Sequence, residues 1–413
     1  MLAQASLRSL QRDPLGELAR RRAEQGDLAT FALGRQRILL LSTPGLVENA
    51  FVRHGDEVGK RGRARRWWVR RPPAFVRGEL FETHDPAEHA RARRTFAPAF
   101  NRRRAEAAAL PIADILERFC DERAGGGGEF DLTVFVQELL LAGMLAAAFG
   151  VEIGLEEAER FVALRNRAAP ATAPVFGSTG AGLVDVVAHP GSWLGSRKAA
   201  LALRSVLSDY LGRADSLHET LARAAPRDPV RLIEGLVFSL VDAPSIVVAG
   251  LLRLGEQPEL GAALRAEVTD GRRGLCRGTA LEGLRLGAGW MLGRVCHEPF
   301  VLEDVPVEAG DWLLASPHLI HRDERFWPDA ERLDPARWEP DAVAARSRYT
   351  FLTFGVSNRI CTGRHLVTTL ATETVAALTQ SGLALATDAR TIAWHGAPMG
   401  GDVVPSAPVE ARL

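Results

Sequence analysis

The chain has 413 residues, 46% of them hydrophobic and 25% charged, which is typical of a soluble globular protein rather than a disordered or fibrous one. Basic and acidic residues balance at 51 each, so no overall positive charge favours nucleic acid as a partner. No run approaches ~20 uninterrupted apolar residues and the N-terminus has no hydrophobic signal segment, so neither a membrane span nor export is predicted.

The four cysteines are far apart in the sequence, at Cys120, Cys276, Cys296 and Cys361. Because no two of them form a CxxC pair, the pattern argues against a zinc ribbon or a thioredoxin-type redox site. So few cysteines in so long a chain are typical of the reducing cytoplasm, where we expect this protein to reside.

In chain order, the pattern first predicts an amphipathic helix over residues 9–25 and a strand pair over 28–42, after which Thr43-Pro44 caps another helix. Apolar residues at helical spacing then dominate from about 85 to 290. Within this region, residues 168–196 are rich in Pro, Gly, Ala and Ser and predict a loop between helices.

Short strands return over about 295–317, followed by irregular, proline-rich chain and then a helix over about 362–380. These elements predict a single mainly α domain over 1–413, a large helical body with a small β-rich subdomain. Residues 60–71 interleave arginine with two tryptophans; they could bind an anionic partner, but a solvated charged face with the tryptophans packed inward is the favoured interpretation.

The most informative stretch, residues 354–363, reads Phe-Gly-Val-Ser-Asn-Arg-Ile-Cys-Thr-Gly. It places Cys361 in a glycine-punctuated loop just before an apolar run at helical spacing. The helix dipole and the nearby Arg359, Arg364 and His365 are expected to favour the thiolate, the form that binds a soft metal or attacks an electrophile. A free cysteine is more often simply buried, so the loop alone leaves both roles open.

Two further segments carry cations. Residues 85–94 predict a helix start on which His89 and Arg93 share one face. The proline-rich segment 328–338 offers Arg332 in irregular chain.

Two predicted helices also accompany the cysteine loop. Glu282 and Arg285, three residues apart, share one face of the first. A second, strongly apolar helix opens at Asp228-Pro229 and ends near Gly255, which indicates a buried central helix.

Together and in this order, these motifs resemble the cytochrome P-450 family of haem-thiolate enzymes over essentially the whole chain. The loop matches the family's haem-binding pattern, Phe-Gly-x-Gly-x-His/Arg-x-Cys-x-Gly, from Phe354 to Gly363, except that Ser357 stands where the family has its second glycine. The resemblance implies the cytochrome P-450 fold, with haem b (heme b, iron protoporphyrin IX) between the central helix and the helix after the cysteine. It also implies that Cys361 is the iron ligand.

The resemblance assigns cofactor contacts to several cations. Haem carries two propionates, which charged side chains from separate segments would hold. The family pattern gives this role to Arg359 and to His89 with Arg93, and Arg294 is a looser match.

Other residues match positions of structural importance in the family. Glu282, Arg285 and Arg332 match its Glu-Arg-Arg triad, which stabilises the proximal side and is not catalytic. Phe354 and Gly363 flank the iron ligand and are expected to contact the cofactor.

The chain departs from the family in the central helix. Members that activate dioxygen carry small residues followed by an acid–alcohol pair, which relays protons through ordered water. Residues 238–245 contain no such pair, so Asp242 or Ser245 is left to support proton delivery, and Pro244 predicts a kink. The residues expected to line the substrate pocket here are Phe238, Leu240 and Val241.

The resemblance therefore implies a monooxygenase that oxidises a small organic substrate of secondary metabolism, such as a natural product, with O2 and electrons from a separate ferredoxin and ferredoxin reductase. The missing acid–alcohol pair keeps open a peroxide-dependent or non-hydroxylating enzyme, which performs oxidative coupling or rearrangement. A catalytically silent haem protein that recruits a partner such as a carrier protein is another alternative. A helical protein without haem, with Cys361 merely buried, is the simplest one. No nucleic acid or membrane partner is expected.

Overall fold

The computed structural model describes residues 3–5, 7–59, 89–90, 93–94, 97–98, 100–172, 190–213, 237, 244–396 and 403–413. Most of this chain is helical, as predicted. The α-helices are α1 (Leu7–Arg12), α2 (Pro14–Gln25), α3 (Pro44–Glu48), α4 (Arg102–Ala107), α5 (Ala109–Gly126), α6 (Leu132–Phe149), α7 (Leu155–Thr172), α8 (Pro190–Arg213), α9 (Ser245–Gly255), α10 (Pro258–Thr269), α11 (Gly274–Leu286), α12 (Pro317–Ile320), α13 (Pro340–Ala344) and α14 (Arg364–Gln380).

The strands are short, and most of them lie near the two ends of the chain. They are β1 (Ala3–Ala5), β2 (Leu28–Leu33), β3 (Gln36–Leu41), β4 (Val58–Gly59), β5 (Phe130–Asp131), β6 (Leu292–Cys296), β7 (Phe300–Leu302), β8 (Val305–Val307), β9 (Trp312–Ala315), β10 (Ala384–Leu385), β11 (Trp394–Gly396), β12 (Val403–Pro405) and β13 (Glu410–Arg412).

One sheet joins strands from both halves of the chain, in the order β1-β2-β3-β9-β6-β4. Strand β3 pairs antiparallel with β2 and parallel with β9, with Ile38 opposite Trp312. Strand β6 pairs antiparallel with β9 and places Arg294 opposite Leu313. The two β-rich segments predicted at 28–42 and 295–317 are therefore one structure, which fixes Arg294 relative to the N-terminal strands.

Helix starts follow the expected capping chemistry. The side chain of Asp13 accepts a hydrogen bond from the Gly16 N–H at 2.9 Å, and Pro14 opens α2. The Thr43 hydroxyl accepts one from the Leu46 N–H at 3.3 Å before α3. Each cap satisfies a backbone donor that the first turn of a helix leaves unpaired.

The prediction of a loop over 168–196 is wrong at both ends of that range. Helix α7 continues to Thr172, and α8 already begins at Pro190. Alanine has the highest helix propensity, and the three alanines in 168–171 favour the extension of α7. Pro190 opens α8 at a position where a helix needs no backbone N–H. Residues 173–189 lie outside the described residues.

Helix α6 lies in the helical core. It is long and apolar enough to cross a membrane, but 78% of it is buried inside the protein. Its carboxyl end stops at Gly150, whose φ of 64° is a left-handed conformation that glycine adopts without a steric penalty. Its burial identifies it as a core helix.

Helices α9 and α11 approach each other closely because glycine faces backbone at their crossing. A Cβ atom on Gly283 would lie 2.5 Å from the Ile246 carbonyl oxygen, and one on Gly287 would lie 2.0 Å from that of Ser245. Neither distance is compatible with any larger side chain. Helix α11 also packs against α14, so these three helices form one layer that leads to the cysteine loop.

Candidate functional site

The cysteine loop is held by its own backbone. The Gly355 N–H donates to the Leu352 carbonyl at 2.8 Å, and the Cys361 N–H donates to the Phe354 carbonyl at 2.7 Å. These two bonds fold residues 352–361 into a closed turn. Gly363 precedes the first residue of α14, and a Cβ atom there would lie 4.0 Å from Cys361 Sγ. A methyl group at this position would therefore only touch the sulfur at van der Waals distance.

Ser357 keeps the backbone conformation for which the family pattern has glycine. Its φ is 60°, and that of Gly355 is 70°. An L-residue in the left-handed region has its Cβ close to the following carbonyl, which costs about 1–2 kcal/mol. The substitution therefore retains the turn at an energetic cost and leaves the path of the loop unchanged.

Burial dominates the protonation of Cys361. Burial raises the pKa of its thiol, although the Gly363 N–H and the charges of Arg93 and Arg364 act to lower it. The charges therefore act in the predicted direction, but desolvation of the anion is the larger effect. A thiol in such a site is deprotonated when it coordinates a metal.

Arg93 contacts the loop directly. Its Nη1 atom donates to the Ile360 carbonyl and lies 3.5 Å from the Asn358 carbonyl oxygen. His89 is helical and half-buried. Arg93, from the segment predicted at 85–94, is therefore brought to the cysteine loop.

Arg294 and Arg359 face each other next to this loop. Burial, and then the charge of Arg359, lower the pKa of Arg294 to about 10. Burial and the charge of Arg93 lower the pKa of Arg359 in turn. Within the described part of the chain, no acidic side chain forms an ion pair with Arg294, whose guanidinium lies over the ring of Phe51 at 5.3 Å.

The charged side chains around the cysteine loop fit haem, the expected cofactor. Three guanidinium groups that repel one another surround the cysteine loop, and no described carboxylate pairs with Arg93 or Arg294. A half-buried cluster of like charge is stabilised by an anion, and the two carboxylates of haem supply that charge. Cys361 beside this cationic cluster is compatible with haem.

Glu282 and Arg285 form a fully buried ion pair on α11. Arg285 Nε and Nη2 donate to the two Glu282 oxygens, each at 2.8 Å, and both side chains are 0% exposed. Arg285 Nη1 also donates to the carbonyls of His321 and Ala330 at 2.8 and 2.6 Å. The pair predicted from the three-residue spacing is thus present, and it connects α11 to the proline-rich segment.

The third member of this cluster is Arg337, and the expectation for Arg332 is corrected. Arg332 is exposed and offers only its carbonyl, 3.3 Å from Arg285 Nη2. The Arg337 Nε lies 3.5 Å from Glu282 Oε2, and the Trp338 indole donates to Glu282 Oε1 at 3.0 Å. The physical reason is the 3₁₀ turn Pro335–Trp338, which directs the later arginine inward.

Sequence reasoning missed His321. This residue is fully buried, with Nδ1 2.9 Å from the Arg285 carbonyl oxygen and Nε2 2.8 Å from the Leu352 nitrogen. It follows the four-residue helix α12, which is too short to give a periodic signal. Its position between two arginine-rich, proline-flanked segments was the available hint.

The distal residues are only partly described. Asp242, Phe238, Leu240 and Val241 lie outside the described residues, as does the expected kink before Pro244. Ser245 is 1% exposed, and its hydroxyl donates to the Gly287 carbonyl at 3.3 Å. The expectation that Ser245 delivers protons is corrected, because its proton is directed into the contact between α9 and α11.

Comparison with known proteins agrees with this geometry. The family model described as Cytochrome P450 matches residues 4–170 and 277–372. The cyclooctat-9-en-7-ol 5-monooxygenase of Streptomyces melanosporofaciens is 28% identical, covering 95% of this chain and 87% of that protein. The sterol 14alpha-demethylase of Mycobacterium bovis is 26% identical over 86% of this chain and 84% of its own.

A solved structure supports the fold. CYP175A1 from Thermus thermophilus superposes with a TM-score of 0.74 at 20% identity, covering 100% of this chain and 99% of that one. At this identity the likeness establishes the fold alone. The predicted fold class, a large helical body with a small β-rich part, is confirmed.

Proposed function

Because this chain belongs to the cytochrome P450 family of haem-containing oxidoreductases, we propose that it is a monooxygenase in which Cys361 ligates the iron of haem b. The observation that carries this proposal is the placement of Cys361, in a loop held by backbone hydrogen bonds, beside a cluster of mutually repelling arginines. When bound, thiolate-ligated haem activates oxygen, because the thiolate pushes electron density towards the iron.

The protein's own groups hold that cofactor in place. Arg294 and Arg359 supply charge to the propionates, with His89 and Arg93 on the neighbouring segment. Arg93 also binds the Ile360 carbonyl, so one side chain positions both the loop and the nearby charge.

The substrate class is proposed from relatives. Proteins similar to this chain are named cyclooctat-9-en-7-ol 5-monooxygenase, pentalenene oxygenase and mycinamicin IV hydroxylase/epoxidase. These names support a small, largely apolar natural product as substrate, and so a role in secondary metabolism. The residues we propose to contact it are Phe238, Leu240 and Val241.

The electron donors are proposed to be a ferredoxin and its reductase, in the cytoplasm. Arg102 and Arg277 are exposed, and together with Arg364 they lower the pKa of His365 after the larger effect of burial. Although Glu106 pairs with Arg102, this surface carries a net excess of arginine, and it adjoins the first turn of α14, three residues after Cys361. An acidic ferredoxin is electrostatically complementary to it.

A peroxide-dependent or non-hydroxylating reaction is the second candidate. The observation that favours it is the Ser245 hydroxyl, which is bonded to the Gly287 carbonyl and leaves Asp242 as the proposed proton donor. Hydrogen peroxide carries its own protons, so a reaction that uses it depends less on a proton relay in the protein. A silent haem protein that recruits a carrier protein is the third.

The first experiment is a carbon-monoxide difference spectrum of the reduced protein. A strongly red-shifted Soret band supports thiolate ligation, and a protein without any Soret band contradicts a haem role. Cys361→Ala should abolish the red-shifted band. Cys276→Ala, which removes a fully buried cysteine from α11, is the control that should retain it.

The second experiment separates the reactions. Turnover is measured with a terpenoid alcohol under O2 with ferredoxin and reductase, and separately with hydrogen peroxide. Product only with peroxide contradicts the monooxygenase proposal in favour of the second candidate. Haem loading without product under either oxidant supports the silent protein.

A further inference from the structure

We propose that His321 is a positioning residue for the cysteine loop, linking the buried Glu282–Arg285 pair to the backbone that leads into Cys361. This inference rests on the proposed ligation of iron by Cys361. It assigns a function to a side chain that touches neither the loop's sulfur nor the cationic cluster.

The hydrogen bonds of His321 define one orientation and one tautomer. The backbone N–H of Leu352 can only donate, so Nε2, at 2.8 Å, is the acceptor. The proton therefore resides on Nδ1 and is donated to the Arg285 carbonyl at 2.9 Å. Burial lowers the pKa of the imidazole to about 3, so the ring stays neutral and both bonds persist at ordinary pH.

The Leu352 N–H needs His321 Nε2 as its acceptor because Leu352 is fully buried. Its N–H would otherwise be a donor without water or a partner, which native proteins avoid. The His321 ring also stacks on Phe351, with 5.6 Å between ring centroids and an interplanar angle of 21°. The histidine thus fixes two consecutive residues in both hydrogen bonding and packing.

The same backbone continues directly into the loop. The Leu352 carbonyl accepts from the Gly355 N–H at 2.8 Å, and the Phe354 carbonyl accepts from the Cys361 N–H at 2.7 Å. Between them, the Thr353 hydroxyl donates to the Leu284 carbonyl at 2.6 Å. A shift of the Leu352 backbone would therefore displace the turn that holds Cys361.

Two amide variants separate the two bonds. In His321→Gln the longer side chain places an amide oxygen near the former Nε2, so Leu352 keeps an acceptor and the bond to Arg285 is lost. In His321→Asn the shorter amide reaches the Arg285 carbonyl and leaves the Leu352 N–H unpaired. Both remove the same ring from the same buried position, so each serves as the control for the other.

The expected result is a difference between these two variants in the loaded protein. His321→Gln should keep the red-shifted carbon-monoxide band, and His321→Asn should lower the ratio of thiolate to non-thiolate form by roughly tenfold, as expected for one orphaned buried donor. Hydrogen exchange of the Leu352 amide should accelerate by a similar factor in His321→Asn alone.

Three outcomes overturn the proposal. If His321→Asn keeps both the band and the slow exchange of Leu352, the link has no positioning role. If His321→Gln loses the band as fully as His321→Asn at matched denaturation midpoints, the role of the ring is general packing. If the wild-type protein itself lacks the band, the ligation by Cys361 fails and the positioning role with it. His318→Asn, which changes a half-buried histidine of α12 that contacts Arg322, should leave band and exchange unchanged.

Discussion

Arg337 Nε lies 3.5 Å from Glu282 Oε2, and this contact completes a charge cluster in which Glu282 and Arg285 are both 0% exposed. Glu282 also accepts hydrogen bonds from the Asp334 N–H and the Trp338 indole, each at 3.0 Å. One buried carboxylate therefore connects α11 to the whole proline-rich segment. Its energetic value depends on all of these partners being present together.

Removing Arg337 should destabilise the protein. We expect Arg337→Ala to lower the free energy of unfolding by about 2–3 kcal/mol, because the fully buried Glu282 loses one of its cations. Arg332→Ala should change it by less than about 0.5 kcal/mol, since that side chain is exposed. Urea denaturation of both variants is the measurement. Equal losses would contradict the assignment of Arg337 as the third member.

The difference between these two arginines shows what the sequence could and could not predict. The Glu282–Arg285 pair follows from helical spacing, and the cysteine loop from a contiguous motif, so both were predictable. Arg332 and Arg337 lie in irregular chain, where no periodicity tells which side chain turns inward. The orientation of the Ser245 hydroxyl could not be predicted either, because it depends on the carbonyl of Gly287, which lies 42 residues away in the sequence.

The same limit applies to the sheet. The strands over 28–42 and about 295–317 were predictable from their apolar runs, whereas the two- and three-residue strands β1, β4 and β10 to β13 were not predicted. The parallel pairing of β3 with β9 joins residues that are far apart in sequence, and local pattern does not specify it. Strand β6, which carries Arg294, joins the same sheet through β9, so the position of this residue also depended on tertiary structure.

Ser357 should be replaceable by glycine with a gain in stability. Its φ of 60° strains an L-residue and suits glycine. We expect Ser357→Gly to raise the free energy of unfolding by about 1 kcal/mol. Asn358→Gly is the control in the next position, where φ is not positive, and it should lower stability by about 0.5–1 kcal/mol through chain entropy. Thermal or urea denaturation that shows the same sign for both would refute the strain.

The ion pairs around Asp323 should make stability depend on acid. Arg325 bridges Asp323 and Asp27, and Arg22 contacts both carboxylates. Burial alone would raise the pKa of Asp323, but the hydrogen bonds from Arg325 and Arg22 outweigh it and lower the pKa to about 2. The hydrogen bond from Arg325 also lowers the pKa of Asp27.

A carboxylate whose pKa is lower in the folded state stabilises the fold above its unfolded pKa, and this contribution is lost as pH falls towards the folded value. We therefore expect Asp323 to contribute about 1–2 kcal/mol that disappears between about pH 4 and about pH 2. Asp323→Asn should flatten this part of the pH profile of unfolding. Asp270→Asn, which removes an exposed partner of Arg272, should leave the profile unchanged; a flattening of equal size there would contradict a specific role for Asp323.

The crossing of α9 and α11 should not tolerate a methyl group. In Gly287→Ala the new Cβ would lie 2.0 Å from the Ser245 carbonyl oxygen, which belongs to backbone and cannot rotate away. The φ of Gly287 is −88°, so alanine causes no local strain and the whole effect is steric. We expect a loss of about 3 kcal/mol in unfolding free energy, at the upper end for overpacking.

Gly261→Ala is the matched control for this crossing. Gly261 lies inside α10, and a Cβ there meets only the end of the Arg265 side chain at 3.6 Å. This change should stabilise by up to about 1 kcal/mol, because alanine is the better helix former. The two variants add the same atom and are expected to shift the urea midpoint in opposite directions. A contradicting result would be a Gly287→Ala protein whose free energy of unfolding stays within about 0.5 kcal/mol of wild type. The start of α9 would then be free to move away from α11, and the hydrogen bond that directs Ser245 towards Gly287 would not be fixed.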